Sequence, residues 1–148
     1  MKARRFVLPL LLALTTIIAY ANSFAGVFLF DDTIRIMEEV RIRQIWPIGP
    51  LLNGVRPVVD LSLAVNYALG GLRPWGYHAF NLAVHILAGL TLFGVVRRMI
   101  LQCSTFKVQG AKADHGQSLI AFGVALIFLL HPLQTQSVTY IIQRGESM

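Results

Sequence analysis

The sequence predicts an all-α membrane protein, and three observations carry that prediction. Apolar residues make up 55% of the 148-residue chain and charged residues only 14%, against about 45–50% and about 25% in an ordinary soluble domain. The mean hydropathy is +0.63. The apolar residues gather into stretches that approach the roughly 20 residues needed to cross a hydrocarbon core. This balance excludes a soluble enzyme, a disordered tail and a nucleic-acid binder with a separate basic domain. The formal charge of +6, from 13 Lys and Arg against 7 Asp and Glu, is read as a mark of membrane orientation. No nucleic-acid partner is expected. The single cysteine, Cys103, excludes an internal disulfide and a CxxC metal site, and neither metal nor cofactor is expected.

Three membrane spans are expected. The first covers residues 6–30, from Phe6 to Phe30, without one charge. Lys2, Arg4 and Arg5 before it and Ala19-Tyr20-Ala21 within it also fit a cleavable signal peptide. A signal's apolar core is about 7–15 residues. Here the apolar stretch continues through Phe24 and Val27, which favours an uncleaved span. The second span covers 79–96 and stops at Arg97-Arg98. The third covers 118–133, with its apolar centre from Leu119 to Leu130 and a break at His131-Pro132.

Loop charges set the orientation. Lys2, Arg4 and Arg5 precede the first span, and Arg97, Arg98, Lys107 and Lys112 face only Asp114 between the second and third. Segment 31–78 balances five arginines against five acids. The N-terminus and the 97–117 loop are therefore expected in the cytoplasm, and segments 31–78 and 134–148 on the outer face. The expected location is a bacterial inner membrane, crossed several times.

Segment 31–78 is patterned rather than slack, and two interfacial helices are expected in it. Asp31-Asp32-Thr33 can cap the first, with Glu38 and Glu39 near its start and Arg41 and Arg43 further along. Trp46-Pro47-Ile48-Gly49-Pro50 is a strong breaker, and Pro57 suits the first position of the second helix. Val58, Leu61, Val65, Ala68 and Leu72 then recur as one apolar stripe, as for a helix lying in the membrane interface. Gly70-Gly71 ends it.

Four groups of residues could carry chemistry, and the expected topology puts them at one membrane face. Asp31 and Asp32 are adjacent carboxylates that repel, which raises one pKa and leaves the other as a base or electrostatic anchor. The plainer reading is a helix cap plus a solvated acid. Arg56-Pro57 opens a helix, where a guanidinium and backbone N–H groups together suit a phosphate; the alternative is an arginine reaching to lipid headgroups. His78, Asn81 and His85 share one face of the second span at i, i+3 and i+7, with His85 roughly 10 Å deeper than His78. That spacing lacks the i, i+4 geometry of a helical two-His metal site, and its alternative is helix–helix hydrogen bonding. His131 and Arg144 flank the segment after the third span, and both could bind an anion or simply frame an interfacial helix.

These groups occur within a longer order of motifs. Tyr20-Ala21-Asn22-Ser23-Phe24, Phe30-Asp31-Asp32, Arg56-Pro57, Asn66-Tyr67, Gly76-Tyr77-His78-x-x-Asn81-x-x-x-His85 and His131-Pro132-x-x-Thr135-x-Ser137-Val138-x-Tyr140-x-x-x-Arg144 follow one another. The set resembles the N-terminal membrane part of the transmembrane and TPR repeat-containing O-mannosyltransferases and their bacterial relatives. It covers nearly the whole chain, with six motifs that are each weak alone. The resemblance implies a partial GT-C type glycosyltransferase module. Its donor would be a polyprenyl-phosphate-linked, mannose-like sugar and its acceptor a protein or other hydroxyl at the outer face. In that pattern an acid just after the first span is catalytic or orients the acceptor, and Asp31 and Asp32 occupy its place. Arg56, His78, His131 and Arg144 are the candidates for stabilising the departing phosphate, with Asn81 and His85 as further substrate-binding candidates. A GT-C enzyme has more spans and these relatives carry TPR helices, so an incomplete module, inactive alone, is expected. A different class fits too: a non-catalytic membrane subunit that binds polyprenyl phosphate or a larger membrane partner.

Overall fold

In the computed structural model of the protein, residues 4–28, 32–102 and 111–141 are described, and every regular element among them is helical. The chain divides into two compact units. The first comprises Met1–Ala19 and His85–Gln134, the second Tyr20–Val84 and Thr135–Met148.

The first unit is built on helix α1 (Arg4–Ala19), the C-terminal part of a long helix (Pro74–Gln102, here α4) and helix α5 (Ala111–Leu130). Leu12 of α1 and Ala125 and Leu129 of α5 form its buried centre, with Leu90, Phe93, Phe122 and Phe128 packed around them. Thr15 and Thr16 sit in an apolar helix at little cost because their hydroxyls donate to carbonyls one turn back, Thr16 to Leu12 at 2.7 Å. Helices α4 and α5 run antiparallel. Arg97 Nε donates to Ser118 Oγ at 3.0 Å near one end of the pair, and His85 meets Leu129 near the other. The helices approach closely where Gly89 lacks a side chain: a Cβ there would stand 2.5 Å from Leu129 Cδ2.

The second unit begins where α1 stops. The long apolar stretch beginning at Phe6 is α-helical only to Ala19 and then tightens into a 3₁₀ turn over Ala21–Ala25. Ser23 causes the change: its hydroxyl donates to the Tyr20 carbonyl at 2.7 Å and so competes with the helical ladder. Segment 31–78 also departs from a simple helix pair. Its first part breaks into a π-helical turn (Thr33–Glu38) and a 3₁₀ turn (Val40–Arg43). Glu39 explains the break, since its carboxylate caps the second turn at the Arg41 N–H and grips the Arg41 guanidinium at 2.8 and 3.0 Å. A short helix α2 (Gly49–Leu52) and then α3 (Pro57–Gly70) follow. Pro57 takes the first turn of α3, and Gly71, at φ +60°, supplies the positive backbone angle that ends it. Ile36, Ile42, Leu51, Val59, Leu63, Tyr77 and Ile141 form the core of this unit. Asn66 Nδ2 donates to the Gly76 carbonyl and the Tyr77 hydroxyl to the Gly71 carbonyl, each at 2.9 Å, which fixes α3 against the start of α4.

Among the described residues α4, with 29 residues, is the one helix long and apolar enough by itself to cross a membrane. Taking Gly116–Leu130 with Pro132–Thr139 as a broken span raises the count to two. Helix α1 has 16 residues, about 24 Å at 1.5 Å per residue, against a hydrocarbon core of about 30 Å. The three spans expected from hydropathy are thus matched by one clear crossing helix.

Because Leu129 is fully buried, it cannot swing away from an added methyl group at position 89. Gly89→Ala is expected to destabilise the protein by about 1–3 kcal/mol through overpacking. Thermal unfolding in detergent measures this, and Leu129→Ala in the same background is expected to recover part of the loss.

Candidate functional site

The described polar groups of the second unit are buried to an unusual degree. Asp32, His78 and Asn81 are 2%, 1% and 1% exposed, and Ser23, Ser62, Asn66 and Ser137 are buried with them. Asp32 stands at the N-cap position of the Thr33–Glu38 turn, yet its backbone is already helical and its carboxylate makes no cap hydrogen bond. The plain capping role considered for this residue is therefore not what the geometry shows. Asp31, its expected partner, lies outside the described residues, as does Arg144.

Helix α4 positions His78 and Asn81 one turn apart. Asn81 Nδ2 donates toward the Tyr140 and Ile141 carbonyls at 3.2 and 3.4 Å, just beyond helix α6 (Thr135–Thr139). Its Oδ1 is buried with no hydrogen-bond partner among the described residues. His78 lies against the turn that follows α1: a Cβ on Gly26 would stand 3.0 Å from His78 Nε2 and 3.0 Å from the Ser23 carbonyl oxygen. A side chain there would have to displace the imidazole or the Ser23 carbonyl by a few tenths of an ångström, which favours glycine. Gly26 belongs to the surroundings of His78 together with Ser23; sequence reasoning named Ser23 only as part of a motif and did not single out Gly26. The signal was present in a glycine two residues after the Tyr20–Phe24 motif.

The cations divide. Arg41 is paired with Glu39, whose hydrogen bond and charge raise the guanidinium further above its already high pKa. Arg43 Nη2 donates to the Met37 carbonyl at 2.7 Å. Arg56 is exposed at the N-cap of α3, and its side chain makes no hydrogen bond or ion pair among the described residues. Of the expected site residues with described side chains, Asp32, Arg56, His78 and Asn81 thus lie in the second unit.

His85 and His131 belong to the first unit, where both serve the end of α5. Pro132 has no N–H, and the Leu133 N–H turns to His131 Nδ1 at 3.2 Å instead of continuing the helical ladder to Leu129. His85 Nε2 lies 3.1 Å from the Leu129 carbonyl, and its ring packs on Phe128 at 5.6 Å. With Nε2 as the protonated nitrogen, His85 closes that carbonyl. This is the helix–helix hydrogen bond that stood as the alternative reading of its position. Among the described residues no group of three or more His, Cys, Asp or Glu is placed to hold a metal ion.

Comparison with known proteins adds the lineage. The chain is 29% identical over 160 residues to protein O-mannosyl-transferase Tmtc3 of Drosophila melanogaster, covering 93% of this chain and 17% of that protein. It is 28% identical to human protein O-mannosyl-transferase TMTC1, covering 92% of this chain and 16% of the relative. For human TMTC4 the identity is 25%, with 88% of this chain and 19% of the relative covered. The chain is related to the TMTC protein O-mannosyl-transferases. It spans about a sixth of the length of these TMTC relatives. No family model and no solved structure matches it. The TMTC relationship expected from the order of six motifs therefore holds.

If His85 closes the end of α5, replacing it leaves a buried carbonyl without its donor. His85→Phe is expected to lower stability by about 1–3 kcal/mol. Thermal unfolding of the variant in detergent, beside the parent chain, measures this.

Proposed function

We propose that the second unit forms part of the site of a membrane glycosyltransferase. It would move a mannose-like sugar from a polyprenyl-phosphate donor to a hydroxyl of a protein acceptor on the outer face of the membrane. The observation that carries this reading is the buried Asp32 carboxylate, which does not cap its helix. The relationship to TMTC protein O-mannosyl-transferases over about nine-tenths of the chain supports it. The apolar helix α4 supports a membrane location, and the chain is read as contributing one portion of a GT-C type enzyme.

The chemistry follows from the residue types. A carboxylate at Asp32, with Asp31 beside it, takes the proton from the acceptor hydroxyl as its oxygen attacks the anomeric carbon of the sugar. The bond from that carbon to the phosphate oxygen breaks, and the phosphate leaves with its lipid. Negative charge develops on that phosphate, where a fixed cation and N–H donors lower the barrier. The Arg56 guanidinium, without a hydrogen bond or ion pair among the described residues, lies beside the N–H groups that open α3, and both suit a phosphate. His78 and Arg144 are the further candidates for this role, whereas His131 belongs to the first unit and receives the Leu133 N–H. Asn81, with its buried Oδ1, is assigned to a hydroxyl or amide donor of a substrate, and His85 to holding the fold.

Asp32→Asn keeps the shape of the side chain and removes its ability to accept a proton. In membranes carrying the complete protein, sugar transfer from a labelled polyprenyl-phosphate mannose to an acceptor peptide is expected to fall by about 10²–10⁴-fold. Donor binding and membrane abundance are expected to stay unchanged. Undiminished transfer by this variant would remove Asp32 as the base, and donor binding without any transfer by the parent protein would favour a non-catalytic, lipid-phosphate-binding subunit.

A further inference from the structure

Asp32 stands at the head of a turn of unusual geometry. Thr33–Glu38 is π-helical, so each of its hydrogen bonds closes over one residue more than in an α-helix. Single π-helical turns are rare and recur at functional sites. Ile36, Met37 and Glu38 would all tolerate an α-helix. The wider turn is therefore set by what holds it in place.

Two things hold it, and both lie on its C-terminal side. Ile36 is fully buried and joins Ile42, Val59 and Leu63 in the core of the second unit. Beyond Glu38 the backbone becomes extended at Glu39, with φ −76° and ψ 105°. The last carbonyls of the turn thus have no helical N–H ahead of them. Arg43 meets one of these. Its Nη2 donates to the Met37 carbonyl at 2.7 Å, reaching back from the 3₁₀ turn Val40–Arg43. A charge-assisted bond of this kind is stronger than a neutral one. Arg41 is not available for the part, because Glu39 grips its guanidinium at 2.8 and 3.0 Å. Ile42, between the two arginines, is 1% exposed, so the backbone that carries Arg43 is anchored in the same core as Ile36.

Released from Arg43, the turn is free to tighten to α-helical bonding. That is a change of one residue in register, about 100° around the axis. Ile36 is tied into the core, so the rotation falls on the other end, which begins at the buried Asp32.

We propose that Arg43 is a positioning residue for sugar transfer. Its bond to the Met37 carbonyl holds the π-helical turn, and through it keeps the Asp32 carboxylate in its buried place. Arg43 acts through the turn and not by contact with sugar or phosphate. This inference rests on the reading of Asp32 as the base.

Transfer kinetics in membranes carrying the complete protein test it, using polyprenyl-phosphate mannose and an acceptor peptide. The variants are Arg43→Met, Arg43→Lys, Asp32→Asn, and Arg43→Met combined with Asp32→Asn. Arg43→Met keeps the stem of the side chain and removes its donors. It is expected to lower kcat by about 10–100-fold, the cost of misplacing a reacting group by about 1 Å. KM for the donor is expected to stay unchanged. Arg43→Lys, which restores a charged donor, is expected to recover most of the loss. In the Asp32→Asn background Arg43→Met is expected to cost nothing further, because the carboxylate it positions is gone. An equal fall in both backgrounds would mark a merely structural arginine and overturn the proposal. A parent-like kcat for Arg43→Met would overturn it too. Either result leaves Asp32 as the base, whereas undiminished transfer by Asp32→Asn removes the base and this inference with it. Arg43 is exposed, and if Arg43→Met does not accumulate, Arg43→Ala decides by the same comparison.

Discussion

In a chain this apolar, the carbonyls left over where a helix stops are the groups that most need a partner. An unmet carbonyl away from water costs about 1–3 kcal/mol. Helix α4 supplies the donors. His85 meets the Leu129 carbonyl at the end of α5, and Asn81 reaches the Tyr140 and Ile141 carbonyls just after α6. Each contact is made inside one compact unit. The polar face of α4 is thus, for two of its three members, a means of ending other helices without water. That constraint also explains why these side chains can sit inside so apolar a helix: their donors are engaged, so their burial is offset.

This view changes how the histidines are weighed. A His, an Asn and a His on one helical face resemble a ligand site, and sequence spacing alone cannot separate that from helix closure. The separation comes from Pro132. By removing one N–H and turning the Leu133 N–H toward His131, the His131-Pro132 break creates the vacancy that His85 fills. A break in one helix and a histidine 46 positions earlier in another belong to a single structural device.

Much of the architecture was legible because local chemistry and tertiary packing agree. Pro57 and Gly70-Gly71 bound α3, and the charge-free stretch before Arg97 lies within α4. Of the stripe from Val58 to Leu72, legible as a pattern, Val58, Val65, Ala68 and Leu72 turn outward, while Leu61 packs against the core that Val59, Leu63 and Ala64 fill. Other features were hidden for specific reasons. Hydropathy sees no difference between α-helix and 3₁₀ turn, so the change after Ala19 depends on a single hydroxyl, that of Ser23. Glu39 reads from sequence as a first-turn acid of one helix, whereas its grip on Arg41 makes it the start of another. Gly26 and Gly89 are unremarkable in sequence because what demands them, His78 and Leu129, is distant along the chain.

The acids of the second unit show most directly where structure passes into chemistry. Glu39 is partly exposed and paired with Arg41, Glu38 is exposed, and Asp60 is partly exposed on the side of α3 away from its apolar stripe. All three are placed as electrostatics and solvation would place them. Asp32 alone, among the acids whose side chains are described, is buried. Taking a carboxylate out of water costs several kcal/mol before any partner offsets it, and the usual structural return for an acid at a helix start, a bond to the first-turn N–H groups, is not made here. Helix capping therefore does not explain why the residue is an aspartate. The proposed role as a base fits its burial, because excluding water strengthens every charge interaction such a base makes with the reacting atoms. The same reasoning separates Asp32 from Arg56. In the proposed reaction the buried acid gives proton transfer a dry setting, and the exposed guanidinium stands where a lipid-borne phosphate would arrive.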